Sequence, residues 1–139
     1  MTEPLEKVGV GMTGCHEVAV TCEVTVGAHI DGMPFVLGTP MMILAMETAA
    51  NEAVRPYLPL GWATVGSEVN VRHLAPTPVG RSLTATARVL EVSGRSLLFA
   101  VEAHDGVRKV GDGTHRRGAV NLESFAKRLA AEADSGGGL

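Results

Sequence analysis

Apolar and polar positions change rhythm twice along this 139-residue chain. Cys15 to Val26 alternates in part and is rich in Val and Thr, which predicts a strand. Gly27 to Gly38 loses the alternation and contains Gly32, Pro34 and Gly38, the composition of a loop or lid. Apolar residues then crowd most of a helical circumference, beginning with Met41-Met42-Ile43-Leu44-Ala45-Met46. Thr39-Pro40 predicts the start of that helix, with threonine capping the open amides and proline at the first helical position. Pro56 predicts its end near Arg55, because the residue before a proline disfavours helical geometry. From Trp62 a period of two takes over, and four strands of an antiparallel meander are expected: Ala63 to Leu74, Ser82 to Val92, Arg95 to His104, and Val107 to Leu122. Ser93-Gly94 reads as a turn, and Asp105-Gly106 as a two-residue hairpin, since both of its positions tolerate positive φ. Gly111 and Gly113 suggest a bulge in the last strand. Glu123 to Ala133 reads as a short helix, and residues 1–12 and 134–139 as loose tails.

The whole chain, residues 1–139, is expected to be one α+β domain, long enough to bury a proper core. No internal repeat is evident. An antiparallel sheet that curls around one long apolar helix accommodates both patterns; this is the hot-dog arrangement. A single copy leaves a strand edge open and one side of the helix poorly covered, so a homodimer or higher homo-oligomer is expected.

Composition narrows the function classes. Hydrophobic residues make up 45% of the chain and aromatics 4%, so Val, Ala, Leu and Met must fill the interior. A net charge of −3 argues against a nonspecific nucleic-acid binder. The polar, acidic N-terminus has no signal-peptide core, and no apolar run approaches the roughly 20 residues that span a bilayer. No membrane partner and a cytoplasmic, reducing location are the expectations. Cys15 and Cys22, seven apart in a segment read as extended, should face opposite sides, which disfavours a disulfide.

Within the apolar helix Glu47 stands out. A carboxylate stripped of water must be paired or change its pKa, and perturbed carboxylates are where bases and nucleophiles are found. The competing reading makes Glu47 part of a solvated stripe with Asn51 and Arg55, four and eight residues on. His73, at a strand end, is a candidate proton shuttle or a structural histidine. Thr39 is a candidate active-site hydroxyl or simply an N-cap. Gly66 would allow close approach of substrate or partner backbone, or mark a twist or bulge. Arg116 and Arg117 face opposite sides of a strand, so either one of them points inward or both are ordinary surface charges. His16, His29, His104 and His115 have no metal-ligand spacing, and solvated or structural roles suit them.

The ordered set Thr39-x7-Glu47, Val71-Arg72-His73-Leu74-Ala75 with Pro78 and Gly80, Ala103-His104-Asp105-Gly106-Val107, and Gly111-x-Gly113-Thr114-His115-x-Arg117 resembles the hot-dog thioesterases, most closely the fluoroacetyl-CoA thioesterase group. The likeness runs over roughly residues 36–125. It implies hydrolysis of an acyl-CoA thioester without metal or organic cofactor, with Thr39, Glu47 and His73 catalytic and Arg117 lining the acyl pocket. The lid departs from that group: Gly27 to Gly38 is short and carries only Phe35, with Met33 nearby, as acyl-contacting candidates. Preference for a fluorinated acyl group therefore does not follow.

Helix geometry separates Thr39 and Glu47 by about 12 Å along the axis and roughly 80° around it. The two can hardly touch within one subunit, and a site at the dimer interface is expected. Arg72, Arg81, Arg95 and Arg116 are available for CoA phosphates. A hydratase on the same fold would need a closely spaced Asp/His pair in the loop and helix start, where Asp31 is the only loop acid and no histidine follows it before or within the helix. A non-catalytic acyl-CoA binding module is the other alternative.

Overall fold

The computed structural model describes residues 3–136. In chain order the elements are β1 (Thr13–Ala19), α1 (Thr39–Val54), β2 (Trp62–His73), β3 (Ser82–Ser93), β4 (Ser96–His104), β5 (Lys109–Asn121) and α2 (Leu122–Gly136). The strands form one antiparallel sheet in the order β1-β3-β4-β5-β2, and α1 packs across its inner face against β1, β3, β4 and β2.

Why α1 sits there follows from its sequence. Met42, Ala45, Met46, Ala49, Ala50, Ala53 and Val54 are buried at the spacing of one helical stripe. The four alanines keep that stripe thin enough for the strands to approach the helix backbone. Gly14 of β1 completes the fit, because a Cβ there would strike the backbone of Ala49 and Ala53. Phe99, Leu97, Leu83 and Val89 fill the space opposite.

The four expected strands are present with ends shifted by one or two residues, but only β3-β4-β5 form a meander; the first of the four, β2, crosses over to pair with β5. Four other expectations need correction. Residues 3–12 are not a loose lead-in, because Leu5 and Val8 are buried in the core, and residues 1 and 2 lie outside the described residues. The first strand stops at Ala19, and Cys22–Val24 and Val26–Ala28 are single 3₁₀ turns. Cys15 and Cys22 therefore do not share a strand, and both are free and exposed. The C-terminal helix runs to Gly136, so residues 134–136 of the expected tail are helical, and 137–139 lie outside the described residues.

The fourth correction concerns Asp105-Gly106. The β4–β5 connection is a four-residue loop, closed by the Asp105 N–H donating to the Arg108 carbonyl at 3.2 Å. Asp105 matters through its side chain instead. Its Oδ1 accepts the N–H groups of Val107 and Arg108, each at 3.0 Å, and its Oδ2 accepts from Thr77 Oγ1 at 3.0 Å and Arg81 at 3.1 Å. Burial alone would raise its pKa; the four donors outweigh it and hold the carboxyl well below the usual range. Its folded-state pKa being depressed, the stability it contributes is complete above the unfolded value of about 3.9 and fades as pH falls below it. One buried carboxylate thus ties the hairpin to the β2–β3 connection.

The sheet has three irregularities, one at Leu90 of β3 and two in β5 and β2. The one in β5 falls at Val110, just ahead of the expected Gly111–Gly113 position. The one in β2 was not foreseen: the strand shifts register between Gly66 and Glu68, leaving Ser67 as the extra residue. With strict alternation Gly66 and His73, seven apart, would face opposite sides of the sheet. The bulge at Ser67 turns both toward α1.

Candidate active site

Two groups of polar side chains line the inner face of β2. The first joins the end of β2 to the start of α1. Helix α1 is not capped by Thr39: the N-cap is Gly38, whose carbonyl takes the N–H groups of Met41 and Met42 at 3.0 and 3.1 Å. The cause lies just upstream. Leu37 is buried and its N–H donates to the Thr77 carbonyl, while Gly38 N–H donates to Val24, each at 2.9 Å. The chain enters extended and turns helical one residue earlier than expected, so Thr39 is the first helical residue and Pro40 the second. The hydroxyl of Thr39, released from capping, hydrogen-bonds His73 Nδ1 at 2.7 Å.

His73 Nε2 is buried and has no hydrogen-bond partner among the described residues. Burial lowers the pKa of this imidazole, and the Ala75 backbone only partly opposes the shift. The ring is neutral near pH 7, with its second nitrogen committed to nothing. Thr39, His73, Leu74, Ala75, Pro76 and Val36 line a shallow pocket of about 270 Å³ around it.

The second group surrounds Glu47. Its Oε2 accepts from Arg117 at 3.4 Å, and Gly66 lies directly beneath: a Cβ there would sit 2.8 Å from that oxygen and 3.1 Å from His115 Cε1. Arg117 is the inward member of the arginine pair, 6% exposed, and Arg116 points out toward Glu68. Arg117 donates from Nε to Thr64 Oγ1 at 2.9 Å and from Nη2 to the Thr64 carbonyl at 2.8 Å, and Thr64 Oγ1 donates to Asn51. His115 completes the support. Its Nδ1 must carry hydrogen to donate to the Glu68 carbonyl at 2.8 Å, which leaves Nε2 to accept from Arg117 at 3.2 Å. Burial, first, keeps that ring neutral; the hydrogen bond to Glu68 opposes it, and the Arg117 charge lowers the pKa further against a smaller effect of Glu47. Burial also disfavours the charge on Arg117, and Glu47 restores part of it. The guanidinium stays cationic, fixed at three of its nitrogens.

Of the residues singled out from sequence, the chain brings Thr39 to His73, and Glu47 to Gly66 and Arg117. It does not bring Glu47 to His73. About 12 Å of helix separates Thr39 from Glu47, and seven residues of strand, on the order of 20 Å, separate Gly66 from His73. Nor is Glu47 withdrawn from water within one chain; its side chain is 36% exposed, and Leu44 one turn earlier is exposed too. The solvated-stripe reading fails as well, since Arg55 pairs with Glu52 and Asn51 turns to Thr64. Of the two residues that hold Arg117, His115 was read from sequence only as solvated or structural and Thr64 was not singled out: a lone threonine or histidine in a strand carries no sequence signal of its partner.

Met33 and Phe35 are both exposed on the lid. The space beneath is an apolar cavity of about 300 Å³ lined by Val24, Val26, Ile30, Pro40 and Met41, with His29 and Thr25 at its wall. It adjoins Thr39 through Gly38 and Pro40. Met33 and Phe35, the lid residues that sequence picked, do not line this space; Ile30 and His29 are the lid side chains that do.

A family profile described as fluoroacetyl-CoA-specific thioesterase matches residues 20–123. The chain belongs to that family. It is a thioester hydrolase of the hot-dog fold. The fluoroacetyl-CoA thioesterase of Streptantibioticus cattleyicolor is 40% identical over 103 residues, 74% of each chain. The crystal structure of fluoroacetyl-CoA thioesterase FlK superposes with a TM-score of 0.84 at 35% identity, covering 89% of this chain and 96% of that one. A hot-dog-like protein from Thermanaerovibrio acidaminovorans matches with a TM-score of 0.83 at 26% identity, over 92% and 95% of the two chains.

Gly66→Ala tests the close fit beneath Glu47. The φ at this position is unstrained, so the fold should survive, but the new methyl must push the carboxylate or the His115 ring aside. A loss of about tenfold or more in kcat/KM with little change in unfolding midpoint is expected. Wild-type kinetics in the alanine variant would show that the glycine serves only the bulge.

Proposed function

We propose that this thioester hydrolase cleaves a short acyl-CoA at a site shared by two subunits, with Thr39 and His73 from one and Glu47, Gly66 and Arg117 from the other. The observation that carries the proposal is the uncommitted, buried Nε2 of a neutral His73, in a chain whose own active-site carboxylate is held elsewhere by Arg117.

The edge of β2 supports the second subunit. This strand ends the sheet, and Val65 to Asn70 are exposed in succession. An unprotected edge of that length invites an antiparallel partner. Directly opposed residues of an antiparallel pair must face the same side. A two-fold axis at Asn70 meets that condition: Val69 faces the partner's Val71, Glu68 faces the partner's Arg72 with opposite charge, and the Gly66–Ser67 bulge lies beside the partner's His73. Glu47, above Gly66, then approaches the free imidazole nitrogen.

The chemistry follows from these groups. Thr39 Oγ accepts the Nδ1 hydrogen of His73, which fixes the tautomer with a bare Nε2. Nε2 takes a proton from a water attacking the thioester carbonyl, and the Glu47 carboxylate orients that water and stabilises the imidazolium. Collapse of the tetrahedral adduct breaks the carbon–sulfur bond, and the departing thiolate recovers the proton from Nε2. Arg117 keeps the carboxylate aimed. The cavity under Ile30 and Met41 has room for a few carbons, which supports a short apolar acyl group.

Thiol release from a panel of short acyl-CoA substrates tests the reading. Glu47→Gln should lower kcat by about two or more orders of magnitude while CoA affinity and unfolding midpoint are kept. Normal hydrolysis by this variant would remove Glu47 from the mechanism, and loss of enoyl absorbance without free thiol would mark a hydratase. The pH profile gives a second test. His73 must be neutral to act, and its pKa is lowered, so activity should persist as pH falls and the acid limb of kcat/KM should lie below the ordinary imidazole value of about 6.5. An acid limb above that value would contradict a buried, neutral imidazole.

A further inference from the structure

The phosphates of a CoA thioester need cations that are not already spent. Of the four arginines open from sequence, Arg72 is paired with Asp112 at 3.0 Å, Arg81 with Asp105 at 3.1 Å, and Arg116 with Glu68 at 3.8 Å. Arg95 lies over the Trp62 ring, 4.7 Å from its centroid. Arg108, which the sequence did not single out, differs from all four. Among the described residues its guanidinium meets no carboxylate; Nη2 donates to the Pro76 carbonyl at 3.3 Å. Pro76 lines the pocket around Thr39 and His73. One of five N–H donors is used and the rest of the fork is open to solvent. The stem is well anchored, because the Arg108 N–H donates to the buried Asp105 carboxylate.

We propose that Arg108 holds a phosphate of the CoA handle at the mouth of the Thr39–His73 pocket. The inference rests on the acyl-CoA reading of that pocket and adds the residue that recognises the handle. Charge around it is favourable. At this end of the sheet Arg72, Arg81, Arg108 and Lys109 face three carboxylates, Asp105, Asp112 and Glu102, whereas the whole chain carries −3. The surplus cation is the one at the pocket. Pro76 is three residues from His73, at most about 10 Å, a separation that a pantetheine arm spans when the thioester lies at the imidazole.

Calorimetric binding of CoA, dephospho-CoA and pantetheine to the full chain, with thiol release from the matching acetyl thioesters followed in parallel, tests the assignment. Arg108→Gln should weaken CoA about 5- to 10-fold and leave pantetheine unchanged, as expected for one charge-assisted contact at an exposed site. If dephospho-CoA weakens like CoA, the contact is to the diphosphate; if it behaves like pantetheine, the contact is to the 3′-phosphate. Arg88→Gln, on the outer sheet face, should change none of the three. Equal affinity of CoA for the wild type and Arg108→Gln, or an equal loss for pantetheine, would overturn the proposal. Wild-type protein that binds CoA through Arg108 yet releases no thiol would instead sink the hydrolase mechanism.

Discussion

The hydroxyl of Thr39 can satisfy the open amides of its own helix or the imidazole of His73, and the backbone just ahead of it decides. Leu37 and Gly38 are tied to Thr77 and Val24, the chain enters the helix extended, and Gly38 supplies the cap. The hydroxyl is then free to reach Nδ1. Thr77, which holds Leu37 through its carbonyl, is itself held by Asp105 through its hydroxyl. A buried carboxylate in the β4–β5 loop thereby helps fix the two segments that bring Thr39 to His73. Because hydrogen bonds keep that carboxyl ionised far into the acid range, the support is constant over the pH range in which His73 titrates.

The Glu47 half is built on the opposite logic, a cation forced inward. Burying a guanidinium is costly unless its donors are satisfied. Arg117 meets Thr64 twice, a neutral His115 and, at longer range, Glu47. Glu47 is the least enclosed of these partners and the one free to act on something else. The Ser67 bulge connects the two halves: it makes Gly66 and His73 share a face, without which an antiparallel β2 partner would present its imidazole on the wrong side of the sheet. The two halves are complete as pairs and incomplete as a reaction site, and the open β2 edge lies between them.

Much of this was legible in sequence because it rests on periodicity. The four strands follow the alternation, and α1 follows the Met/Ala stripe, within a residue or two, although the pairing of β2 with β5 rather than β3 lies outside what alternation can tell. Arg117 as the inward arginine followed from strand parity together with the family resemblance. Position-specific hydrogen bonds were not legible. Thr39-Pro40 looks like a cap and first turn, and only the ties of Leu37 and Gly38, made to residues distant in sequence, shift the helix start by one. Asp105-Gly106 carries a hairpin signal, and nothing local tells that its carboxylate faces Thr77 and Arg81. Glu47 looked buried because its helix neighbours are apolar, yet Leu44 and Glu47 share the side of α1 that the sheet of the same chain leaves uncovered. Leu5 and Val8 are single apolar residues in a polar lead-in, too few to produce a period.

The shared site is tested most directly by mixing two inactive proteins. Thr39→Ala and Glu47→Gln chains are unfolded together and refolded at equal ratio, and thiol release from acetyl-CoA is compared with that of each parent. Random pairing makes half of the dimers mixed, each with one intact site, so about one quarter of wild-type activity should return. Activity no higher than the mean of the two parents, in dimers shown to have exchanged, would place Thr39, His73 and Glu47 of a single chain at each site and contradict the subunit-spanning arrangement.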